Sequence, residues 1–143
     1  MEGVDEVRSV HFLDRQTILA AALDQGDCAL YDLADRTRPL WRRRLGHRIG
    51  ESAISPDGRY LALTNLANAV QIHEITPTGI RLFRTFESPV DMACNYPLQV
   101  CFAEAQNKVV SGSGNGEVRL WDISDGKKET LMHSSSSRLP LRT

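Results

Sequence analysis

Three segments of this chain superpose on one another without a gap, and no other property of the sequence restricts the fold as much. They are LDRQTILAAALDQGDCALYD (residues 13–32), SPDGRYLALTNLANAVQIHE (55–74) and AEAQNKVVSGSGNGEVRLWD (103–122). Each ends on an acid, Asp32, Glu74 and Asp122, and these anchors are spaced by 42 and 48 residues. Leu30, Ile72 and Leu120 stand two positions before the anchor, and Cys28, Val70 and Val118 four before. Leu19, Leu61 and Val109 stand thirteen before, Phe12, Ile54 and Phe102 twenty before, and Leu33, Ile75 and Ile123 one after. A unit recurring with this period cannot bury its apolar face alone; it is stabilised by stacking on its neighbours.

Within each unit the local pattern is β. VRSVHF (7–12) alternates weakly, and TILAAAL (17–23) follows after a turn. CALYDL (28–33) is apolar on both faces, as expected of a strand sandwiched between sheets. In SPDG (55–58) proline presets φ at the first central turn position and Gly58 permits positive φ before the next strand. Gly114-Asn115-Gly116 supplies the same freedom for a tight hairpin in the third unit. PLWRRRL (39–45) and GIRLFRTF (79–86) supply a fourth strand in the first two units. No long stretch has the 3.6-residue period of a helix. The expected organisation is a lead-in (1–6), three units at about 7–45, 46–86 and 87–132, and a Ser-rich linker or disordered tail (133–143). The extra residues of the longer interval are placed around CNYP (94–97).

Leu120-Trp121-Asp122 after a Gly-rich hairpin, Gly46-His47 before the second unit and Ser55-Pro56-Asp57-Gly58 within it resemble the WD40 repeat, over residues 7–132. The resemblance implies an all-β fold, a partial β-propeller of about three four-stranded blades. It marks Gly46, His47, Ser55, Pro56, Asp57, Gly58, Asn115, Gly116, Trp121 and Asp122 as the structural repeat signature. WD40 blades typically join the Gly-His histidine, a hairpin Asp, a Ser/Thr and the Trp in a buried hydrogen-bond network. Here the hairpin positions hold Gln25, Ala67 and Asn115, the Trp column reads Tyr31, His73 and Trp121, and Glu87-Ser88 replace Gly-His in the third unit. No unit completes the network, so apolar burial is expected to carry the stability.

Little in the chain points to chemistry. His11, His47, His73 and His133 have no Cys or His at metal-ligand spacing, and Asp24-Gln25-Gly26-Asp27 has a hairpin's spacing rather than a calcium loop's. Ser113 lies in SGSGNG, but a strand follows it, where a nucleophile elbow or a phosphate cradle needs a helix. No catalytic residue, cofactor or metal is expected. Arg42, Arg43 and Arg44 form the one notable charge run; they read as a charged outer edge strand, with an acidic partner docking on that rim as the sharper alternative. A net charge of −1 and a sequence pI of about 6.4 argue against nucleic acid and anionic membranes as partners. Neither a signal-peptide h-region nor an apolar run of membrane-spanning length is present, so an intracellular setting, cytoplasmic or nuclear, is expected. Cys28, Cys94 and Cys101 read as reduced, mostly buried thiols.

Propellers close with typically 4–8 blades, so three units leave two apolar sheet faces uncovered. The chain is expected to be a fragment of a longer propeller, to pair with a second copy into a six-bladed ring, or to dock on a β-rich partner. The resemblance implies a non-catalytic scaffold or adaptor binding other proteins, with a metal-dependent propeller hydrolase or a non-functional remnant as alternatives.

Overall fold

Alternating apolar segments broken by Gly- and Asp-bearing turns fold here as antiparallel meanders. A computed structural model describes residues 5–65, 69–87, 98–104, 107–113 and 116–132. The first blade contains β1 (Val7–Phe12), β2 (Thr17–Ala22), β3 (Asp27–Asp32) and β4 (Trp41–Arg44). The second contains β5 (Ile49–Ile54), β6 (Tyr60–Asn65), β7 (Ala69–Thr76) and β8 (Gly79–Glu87). The third contains β9 (Val100–Ala103), β10 (Lys108–Gly112), β11 (Glu117–Asp122) and β12 (Lys128–Met132). No helix occurs among the described residues. The all-β, three-sheet architecture expected from the repeat is the one observed.

The first strands lie innermost, β1 against β5 and β5 against β9, while β4, β8 and β12 form the outer edge. Two cores fill the two spaces between blades. Leu19, Ala21, Cys28, Leu30 and Trp41 of the first blade meet Ile49, Leu61 and Leu63 of the second. On the other side of the second blade, Ala62, Val70, Ile72 and Phe86 meet Val100, Val109, Trp121 and Ile123. Alternate residues of β6 and β7 therefore feed different cores, as the two-residue period of a strand requires.

The gapless superposition hides a one-residue slip. Leu61 pairs across the sheet with His73 and Val109 with Trp121, but Leu19 pairs with Leu30, and Tyr31 pairs with Ile18. A one-residue shift moves side chains to the opposite face. The shift is in β2: Leu19 faces the second blade, whereas its column-mates Leu61 and Val109 each face the preceding one. Ile18 takes the place beside Tyr31, which lies half-buried on the outward face; Trp41 from β4, paired with Leu30, joins the core at 5% exposure. β3 is buried on both faces over Asp27 to Leu30, with Asp27 and Ala29 on the outward side each 8% exposed.

One other expectation changes. Cys28 is buried, but Cys101 is exposed on the outer face of the third blade, because it stands on the opposite side of β9 from Val100. Burial, with the Asp27 charge second, pushes the Cys28 thiol up to about 12. Maleimide at pH 8 is expected to modify Cys101 at least about a hundredfold faster than Cys28 in the folded chain, because the thiolate is the reactive form. Peptide mapping by mass spectrometry reads the two sites separately, and equal rates would contradict this packing. Ala67, Ser88, residues 94–97, Asn115, His133 and the Ser-rich tail lie outside the described residues.

Candidate interaction surfaces

Each junction between blades is pinned at its rim by the outer strand of one blade and the last turn of the next. Arg43 on β4 donates from Nη2 to the Thr78 carbonyl at 2.8 Å, and Trp41 Nε1 donates to the Thr76 carbonyl at 3.1 Å. At the second junction Arg84 on β8 donates from Nη2 to the Ser124 carbonyl at 3.0 Å. Both receiving turns contain a glycine where the guanidinium settles. A Cβ on Gly79 would come within 3.1 Å of Arg43 Nε, and one on Gly126 within 2.9 Å of Arg84 Nη1. At Gly79 the glycine leaves room for the arginine, while Gly126 also takes a φ of 75° that favours glycine on its own.

The arginine run does not act as one patch. Arg42 Nη2 and Arg44 Nε hold the two oxygens of Asp27 at 2.7 and 2.8 Å, on the outward face of the first blade. Asp27 is only 8% exposed, and the Arg44 and Arg42 hydrogen bonds hold its carboxyl down at about 2. Arg43, pointing the other way, serves the junction. All three guanidinium groups are engaged within the fold.

Several of the signature residues make contacts within the fold. Ser55 Oγ donates to Asp57 Oδ1 at 2.7 Å and accepts from the Tyr60 amide at 2.9 Å, and Asp57 Oδ1 accepts from the Arg59 amide at 3.0 Å. Gly46, Gly58 and Gly116 all have positive φ. His47 Nε2 bonds to Gln71 Oε1 at 2.9 Å, so β7 supplies the partner within its own blade. His73 fills its column as a buried side chain 4% exposed, its Nδ1 without a hydrogen-bond partner. Burial, with His47 second, lowers its pKa to about 4. Trp121, 2% exposed, stacks on Phe86 with centroids 5.3 Å apart, and Asp122 Oδ1 caps the following turn through the Ser124 amide and hydroxyl.

Among the inner strands, Ser52 Oγ lies 2.8 Å from His11 Nε2 and also bonds the Ser9 hydroxyl, so its hydroxyl is spent joining β1 to β5. Ser113 Oγ closes its hairpin on Glu117, donating to the carbonyl and accepting from the amide. A cavity of about 490 Å³ opens beside β9, lined by Glu51, Ser52, Val100, Cys101, Ser111 and Val118 among others. Among the described residues no group of three His, Cys, Asp or Glu is placed to hold a metal ion, and no helix is long and apolar enough to cross a membrane.

What stands out is the pair of outer faces. On the first blade Val10 is 55% and Phe12 68% exposed, flanked across the strands by Ala20, Ile18 and Tyr31. On the third, Leu131 is 52% exposed and shares its face with Val118, Val110, Leu120 and Cys101. Phe12 shares its apolar column with Ile54 and Phe102, which pack against the two cores, so the column itself gives no sign that Phe12 is exposed.

No family model matches the chain. It is 30% identical over 76 residues to pre-mRNA-processing factor 17 of Homo sapiens, and equally to that of Mus musculus. That match covers 53% of this chain and 13% of each relative, so the chain spans a small part of their length. Among solved structures, the β-propeller domain of Cps50 (Swd1) from Myceliophteria thermophila superposes with a TM-score of 0.66 at 17% identity. The overlap covers 81% of this chain and 37% of that one. The fold is therefore that of consecutive propeller blades.

Proposed function

We propose, from the premise that the chain is an open arc of three β-propeller blades built on degenerate WD40 repeats, that it is a non-catalytic scaffold binding other proteins. The observation that carries this reading is the exposed apolar face at each end, Val10 and Phe12 on one and Leu131 on the other. Contiguous apolar surface of this kind marks an interaction site in a folded protein. The internal polar groups support it as well, since Ser52, Ser113 and the arginine run are occupied with holding strands and blades together. No observation favours a metal-dependent hydrolase or a non-functional remnant. An intracellular setting, nuclear or cytoplasmic, is supported by the relative named for pre-mRNA processing.

Proximity labelling in cells with the wild-type chain and with Phe12→Glu and Leu131→Glu variants tests the reading. Both sites are exposed, so the variants are expected to keep the wild-type circular dichroism spectrum while losing a defined subset of labelled proteins. Identical labelling by all three chains would refute binding through these faces.

A further inference from the structure

We draw no further inference here: the strongest candidate, the exposed apolar patch of Leu82 and Phe83 at the register shift of β8 on the outer edge of the middle blade, is flanked by charges of both signs in the Arg81–Glu74 pair, and nothing in the structure shows what covers it.

Discussion

Trp121→Ala is expected to lower the stability of the third blade by about 3–5 kcal/mol, the usual range for truncating a buried large aromatic. Trp121 is 2% exposed at the centre of the second core, cross-strand from Val109 and stacked on Phe86 at an interplanar angle of 8°. Alanine would leave Phe86 of the second blade without its ring partner and open a void among Ile72, Val100 and Ile123. The surroundings cannot readily collapse to fill it, because two sheets held by backbone ladders form its walls. Net stability of a domain is only about 5–15 kcal/mol, so this loss is a large part of the total.

The effect should also be local, since each blade contacts only its neighbours. The chain has two tryptophans, and Trp41 lies in the other core. In the variant Trp41 fluorescence therefore reports the junction of the first two blades alone, while circular dichroism reports all three. Urea titration is expected to show the dichroism midpoint falling well below the Trp41 midpoint. Coincident midpoints near the wild-type value would show that Trp121 does not hold the third blade.

The repeated apolar columns made the three-sheet fold legible in the sequence, because strand alternation packed against neighbouring blades leaves a periodic record. Junction chemistry left no such record. Arg43 and Arg84 stand in different columns, paired with Cys28 and Ile72, and they reach carbonyls of turns that differ in length. The room that Gly79 leaves is visible only once an arginine from another blade lies over it. The clasp on Asp27 was equally hidden: RRR reads as a surface charge run, but strand alternation sends Arg42 and Arg44 to one side and Arg43 to the other. The slip in the first blade is hidden in the sequence because Ile18 and Leu19 are both apolar and either satisfies the column.

Acidification provides a second large effect, with its source identifiable. The His73 pKa is lowered from 6.5 to about 4 in the folded chain, first by burial and then by His47. Between these values the unfolded chain binds a proton that the folded chain refuses, so stability falls as pH falls from about 6.5 to about 4 and then levels at this site. The gap corresponds to about 3 kcal/mol. His11, lowered by burial at the β1–β5 contact, adds a contribution of the same sign. Asp27 acts in a different window. Its carboxyl, held at about 2 by Arg44 and Arg42, contributes stability that is present above the ordinary value of 3.8 and lost as pH falls toward 2. His73→Leu removes the titrating ring together with its unpartnered Nδ1, so it is expected to flatten most of the loss between pH 6.5 and 4 and to leave the lower window unchanged. Asp27→Asn should do the reverse. Urea midpoints measured at half-unit steps of pH separate the two, and an unaltered profile in His73→Leu would show that the buried imidazole is not what makes the arc acid-sensitive.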